Sequence, residues 1–138
     1  MDFELSREHQ ALRKLVREFA EEVVKPAARQ ADRTSQPPWE VIKQAGEIGL
    51  FGVPFPREYG GMGAGETGYC ILMEELGRID TSFATIIGAH IGIGAMAIYL
   101  GGNKRLREKY LPDLCSGKKI GAFALTEPQA GSDAASIK

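Results

Sequence analysis

Apolar residues near the start of the chain recur at intervals of three and four. Leu12, Leu15, Val16, Phe19, Ala20, Val23 and Val24 share one side of a helical wheel, and Arg13, Lys14, Arg17, Glu18, Glu21 and Glu22 fill the other. The spacing predicts an amphipathic helix with Ser6 as its N-cap. Pro26 is expected to end or kink it, because the ring removes a donor and clashes with the preceding turn. Ser35, Gln36, Pro37 and Pro38 read as a linker or helix start, after which Trp39, Val41, Ile42, Ala45 and Ile48 mark a short second helix stopped at Gly49. Between Gly52 and Gly65 proline and glycine are too frequent for regular structure, which predicts a long ordered loop.

Helical periodicity resumes through Tyr69, Leu72, Met73 and Leu76 up to Gly77, and Asp80 or Thr81 can cap the next element. From Ala84 to Leu100 the chain is nearly all apolar, only a little short of the roughly 20 residues that span a bilayer. It reads as a buried core helix rather than a membrane span, because His90 stands at its centre and basic flanks and paired aromatic belts are missing. Asn103 is placed to cap a short basic helix over residues 104–110, with Pro112 disturbing its last turn. The register then changes. Residues 119–126 alternate weakly, as a strand does, and residues 135–138 resemble the start of another. Two strands alone are marginal in water. The expected organisation is therefore mainly α: an all-α domain over residues 1–117, then the beginning of a β domain at residues 118–138 that further chain would complete.

Composition narrows the function classes. With 17 basic and 18 acidic residues the formal charge is -1, too little to draw the chain onto nucleic acid or an anionic membrane surface. The two cysteines, Cys70 and Cys115, form no C-x-x-C, so neither a zinc site nor a disulfide framework is expected, and both read as buried thiols. His90 has no second ligand at metal spacing and reads as a core histidine. Residues 60–65 are glycine-rich, but no strand precedes them and the spacing is not that of a dinucleotide-binding loop. Lys104, Arg105, Arg107 and Lys109 read as a solvated helix face. Met1, Asp2, Phe3, Glu4 and Leu5 show neither a signal peptide nor a transit peptide, so a cytoplasmic bacterial protein is expected.

The segment with chemistry in it is Phe123-Ala124-Leu125-Thr126-Glu127-Pro128-Gln129-Ala130-Gly131-Ser132-Asp133. A strand end offers amides and carbonyls to a planar heterocycle, Thr126 adds a hydroxyl, and Gly131-Ser132 permits close backbone approach to a phosphate. Taken by themselves the same residues also make an ordinary β-turn around Pro128. The run from Ala124 to Asp133 resembles the T-E-P-x-x-G-S-D signature of the acyl-CoA dehydrogenase family. Further resembling pieces follow the same order: the loop ending Tyr59-Gly60-Gly61, the helix end Glu74-Glu75-Leu76-Gly77, and Lys109-Tyr110-Leu111-Pro112 before Ser116-Gly117.

The resemblance covers the whole chain, with a look closest to long- and very-long-chain members. It implies a helical N-terminal domain, a central β domain and a C-terminal helical domain, with FAD held between domains and across a subunit interface of a homotetramer. Phe123 and Leu125 would contact the flavin, Thr126 would hydrogen-bond near its N5, Gly131 would allow close approach, and Ser132 would meet both the FAD phosphates and the acyl-CoA substrate. Phe123 stands where some members have tyrosine, which removes a phenolic hydrogen bond and keeps the ring. The implied reaction is α,β-dehydrogenation of an acyl-CoA thioester, with an electron-transfer flavoprotein as a partner of the expected kind. The catalytic base would be a carboxylate beyond Lys138, not Glu74, Glu75, Glu108 or Glu127, so that residues 1–138 alone are expected to be inactive. Small residues at Gly88, Ala89, Gly92 and Gly94 suggest either close helix packing or room for a long acyl chain. Two rival readings stand beside this one: a flavin oxidase or monooxygenase of the same fold, and a non-catalytic helical interaction module.

Overall fold

The structure is a computed structural model that describes residues 4–138; the N-terminal reading built on Met1, Asp2 and Phe3 lies outside the described residues. Seven α-helices stand among them: α1 (Arg7–Phe19), α2 (Lys25–Thr34), α3 (Trp39–Glu47), α4 (Gly65–Gly77), α5 (Thr81–Gly88), α6 (Met96–Gly101) and α7 (Lys104–Cys115). Ser6 caps α1 as expected, its Oγ accepting from the His9 N–H at 3.2 Å. Pro26 does not end the helix. A wider π-helical turn at Ala20–Val24 joins α1 to α2, and Pro26 falls in the first turn of α2, where its missing donor costs little.

The α1 periodicity places Leu12, Val16 and Phe19 in the core against α4. One carboxylate is buried in that seam. Glu75 is 1% exposed and accepts from Arg17 Nε at 2.9 Å and Arg17 Nη2 at 2.7 Å, with the Nε atoms of Arg13 and Arg78 at 3.6 and 3.5 Å. The hydrogen bonds from Arg17 hold its carboxyl below the usual carboxylate range against the opposing effect of burial. Arg78 also reaches Glu21 at 2.9 Å, and Arg13 reaches Glu74 at 3.0 Å.

The proline- and glycine-rich stretch after α3 is ordered, and its apolar residues enter the core. Leu50, Phe51, Val53 and Phe55 are fully buried, while the Met62 and Ala64 amides bond back to the Gly52 and Val53 carbonyls at 2.9 and 3.0 Å. Sequence periodicity cannot see such a core, because the loop has no repeat to read.

Asp80 caps the apolar helix, accepting from the Ser82 and Phe83 amides at 2.8 and 3.1 Å. Helix runs from α5 through a π-helical turn at Ala89–Ala95 into α6. By length and composition this helix, Thr81–Gly101, could cross a membrane. One face, with Phe83, Ala84, Ile87, His90, Ile91 and Ala95, is buried, while Ile93 and Leu100 on the other side are 54% and 71% exposed. Three glycines along it serve close packing. A Cβ at Gly88 would stand 2.9 Å from Met73 Cε, one at Gly92 3.1 Å from the Tyr69 hydroxyl, and one at Gly94 2.8 Å from the Gly121 carbonyl carbon. At Gly88, Gly92 and Gly94 the close-packing reading of the small residues is the one these contacts support.

Three further expectations change. Pro112 sits inside α7, which continues to Cys115 because Leu111, Leu114 and Cys115 are buried and hold the last turn. Cys70 is exposed, on the side of α4 opposite Ile71 and Leu72, and only Cys115 is buried. No strand forms at residues 119–126 or 135–138 among the described residues. A strand needs a ladder partner, and none lies alongside. Residues 119–126 carry no regular structure, and Ala134–Ser136 is a 3-10 turn in which the Ser136 hydroxyl donates to Asp133 Oδ2 at 2.6 Å.

Candidate flavin and acyl-CoA wall

The candidate segment leaves the helical core through a sharply defined exit. After α7, Gly117 adopts φ +71, and a Cβ there would stand 2.6 Å from the Phe51 ring, so the turn suits glycine on both counts. The Lys119 amide then donates to the Asp113 carbonyl at 3.0 Å, and its ammonium pairs with the Asp113 carboxylate at 2.7 Å. Two residues later the Gly121 amide donates to His90 Nδ1 at 2.8 Å, while His90 Nε2 donates to the Leu114 carbonyl at 3.1 Å. An amide can only donate and a carbonyl can only accept. The imidazole is therefore neutral, with its proton on Nε2. Burial pushes its pKa below the ordinary histidine value, with the bond to Leu114 opposing.

Beyond Gly121 the chain runs outward. Phe123 and Leu125 are 51% and 46% exposed, large for apolar side chains flanking a run without regular structure. A tight turn follows, in which Glu127 and Ala130 exchange amide-to-carbonyl bonds of 2.9 and 3.1 Å across Pro128 and Gln129. The turn chemistry predicted for Pro128 is present. Gln129 donates to the Glu127 carboxylate, which also accepts from the Lys138 amide at 3.2 Å. Among the described residues the hydroxyls of Thr126 and Ser132 and the amides of Gly131, Ser132 and Asp133 have no hydrogen-bond partner.

All five residues expected at the cofactor, Phe123, Leu125, Thr126, Gly131 and Ser132, thus lie on one exposed stretch. Chemically it offers two apolar side chains, a row of unpaired peptide donors and two free hydroxyls. Such a set fits a ligand with a flat, largely apolar ring and an oxygen-rich tail. The residues present therefore suit a flavin dinucleotide. The carboxylates excluded as bases are all engaged: Glu74 and Glu75 with arginines, Glu108 with Lys104 at 3.7 Å, and Glu127 within its own turn. No group of three or more potential metal ligands occurs among the described residues. A groove lined by Arg29, Asp32, Pro37, Thr81 and Ile86 lies elsewhere and includes none of the five. Sequence reading missed the tie between His90 and Gly121. Its one signal was a polar ring in an otherwise apolar helix.

Comparison with known proteins agrees with this architecture. Residues 6–118 match the family model "Acyl-CoA dehydrogenase, N-terminal domain". The chain is 44% identical over 133 residues to the short-chain specific acyl-CoA dehydrogenase of Clostridium acetobutylicum, covering 96% of this chain and 35% of that protein. It is 46% identical over 138 residues to the acryloyl-CoA reductase (NADH) of Anaerotignum propionicum, covering 100% and 35%. Among solved structures, butyryl-CoA dehydrogenase from Megasphaera elsdenii superposes with a TM-score of 0.87 at 34% identity, over 97% of this chain and 36% of that one. The acyl-CoA dehydrogenase complexed with FAD from Bacillus anthracis gives a TM-score of 0.83 at 38% identity, over 98% and 23%. The chain spans about a third of the length of the curated relatives it matches. On the family match and these identities together, the chain belongs to the acyl-CoA dehydrogenase family, as its N-terminal helical domain.

Proposed function

We propose that the protein carrying this chain is an FAD-dependent acyl-CoA dehydrogenase, and that the chain supplies one wall of its flavin and thioester site. The observation that carries the reading is the exposed stretch from Phe123 to Ser132, where apolar side chains stand together with donors that have no hydrogen-bond partner among the described residues. When bound, the flavin supplies a hydride acceptor, which no side chain can be. The chain's own residues bind and orient. Phe123 and Leu125 exclude water from the ring, the Thr126 hydroxyl donates near its N5, and the free amides around Gly131 and Ser132 meet phosphate oxygens, with Ser132 also facing the acyl-CoA. The α-proton is taken by a carboxylate from elsewhere in the protein. An electron-transfer flavoprotein as acceptor, a homotetrameric assembly and a cytoplasmic site belong to the same reading.

The likeness to an acryloyl-CoA reductase favours a second reading: the same site worked in reverse, placing a hydride on the β-carbon of an enoyl thioester and a proton on its α-carbon. This chain's residues would do the same work in either direction, since both pass through one transition state. Purification of the intact protein tests both. A yellow protein whose flavin absorbance is bleached by butyryl-CoA under anaerobic conditions supports the dehydrogenase; one that oxidises NADH with acryloyl-CoA supports the reductase. A colourless protein that takes up no FAD overturns both.

A further inference from the structure

We propose that His90 is a positioning residue for the flavin wall: through Nδ1 it pins the Gly121 amide, and so sets where Phe123, Leu125 and Thr126 stand on the helical domain. The proposal rests on the functional reading above. Gly121 is the last tether before the wall. Among the described residues, neither the amides nor the carbonyls of residues 122–126 make a hydrogen bond, and the turn between Glu127 and Ala130 closes on itself. Phe123 is only two residues on, within about 7 Å of extended chain, so a shift at Gly121 passes almost undiminished to the ring-facing side chains.

The imidazole is itself held. Its Nε2 donates to the Leu114 carbonyl at 3.1 Å, and the Phe51 ring lies against it at 4.6 Å between centroids. Gly94, one turn along the same helix, lets the Gly121 backbone lie directly on the helix surface, since a Cβ there would meet it at 2.8 Å. A polar ring buried to 1% exposure in an apolar helix costs stability unless both nitrogens are satisfied. Both are, and one bond goes to the exit of the candidate wall. An aliphatic side chain would fill the same volume and leave the Gly121 amide without an acceptor.

The discriminating variants are His90→Leu, which keeps volume and removes both bonds, and His90→Asn, whose Oδ1 replaces Nδ1 as acceptor while the bond to Leu114 is lost. In the intact protein we would measure the FAD dissociation constant by flavin fluorescence, amide hydrogen exchange at residues 119–126, and helical content by circular dichroism. His90→Leu is expected to weaken FAD binding about ten-fold, the equivalent of one orphaned, partly buried amide, and to speed exchange at Gly121. His90→Asn is expected to restore both. A purely packing role predicts the opposite order, because a bare amide in an apolar helix packs worse than leucine. Should His90→Leu lose its helical signal, His90→Asn decides: wild-type Gly121 protection and FAD affinity support the tether, and loss of both with helices intact overturns it. Absence of FAD uptake by the unmodified protein overturns the functional reading, whereas normal uptake by wild type and His90→Leu alike, with unchanged Gly121 exchange, overturns the tether alone.

Discussion

The seam between α1 and α4 and the segment after α7 are built on opposite terms. In the seam, a fully buried carboxylate at Glu75 is met by three arginines, and apolar neighbours such as Val16 and Leu72 are sealed from solvent. In the segment, Phe123 and Leu125 stand half exposed, and the donors from Gly131 to Asp133 have no acceptor among the described residues. The seam supplies its own counter-charges, leaving Arg13 Nε without a hydrogen bond, whereas among the described residues the segment's hydrogen bonds to the helices stand at its root, at Asp113 and His90. The contrast separates what folds the helical domain from what the domain presents.

The largest break of that contrast comes from a core residue beneath the root of the segment. Phe51 is fully buried, packs on the His90 ring and underlies the turn at Gly117. Phe51→Ala is expected to lower stability by about 3–5 kcal/mol, through lost burial and a residual cavity. Urea unfolding of the intact protein measures it. Hydrogen exchange should also quicken at Gly121, because the imidazole loses its backing; loss of stability with an unchanged Gly121 amide would show that the core around Phe51 and the segment are less joined than the geometry indicates.

A smaller effect is expected at the seam. Glu75→Gln keeps the shape of the side chain and leaves Arg17 without a charged acceptor, while Arg13 and Arg78 keep Glu74 and Glu21; this should cost about 2 kcal/mol, moderated because the arginines are partly solvated. Acid should reveal Glu75 and His90 separately. The His90 pKa is lowered on folding, so the unfolded chain takes up that proton first, and stability declines as pH falls below about 6.5 until the folded imidazole is also protonated. Glu75 is also lowered, so its contribution is present above the unfolded carboxylate value and is lost as pH falls through the lower folded one. Unfolding midpoints measured from about pH 8 to about pH 3 should show both declines, the upper one missing in His90→Asn and the lower one in Glu75→Gln.

Much of the helical part was legible because periodicity and caps are local. Ser6, Asp80 and Asn103 cap the helices expected of them. Neither Pro26 nor Pro112 ends its helix, for two reasons: a π-helical turn lets Pro26 fall in the first turn of α2, and buried side chains hold the last turn of α7 around Pro112. The ordered loop after Gly52 was legible from its prolines and glycines, but the burial of Phe51 and Phe55 was not, because irregular backbone has no period. The five residues of the candidate wall were legible only through family resemblance, since proline-turn chemistry alone allows an ordinary turn. The strand expected at residues 119–126 failed for a physical reason: alternation marks a segment able to pair, and pairing is a property of its neighbours.

The smallest effect on folding is expected in the wall itself. Phe123 is half exposed and outside the buried core, so Phe123→Ala should change the stability of the cofactor-free protein by no more than about 0.5 kcal/mol, as for other surface positions. FAD affinity should nevertheless fall, because the flavin would lose an apolar side chain to pack against. Parallel urea titrations with and without FAD read the two quantities on one sample: the gap between them should shrink in Phe123→Ala while the cofactor-free midpoint stays in place. A fall in the cofactor-free midpoint comparable to that of Glu75→Gln would mean that Phe123 belongs to the folded core after all, and the separation between what folds and what is presented would have to be redrawn inside the segment, between Phe123 and Thr126.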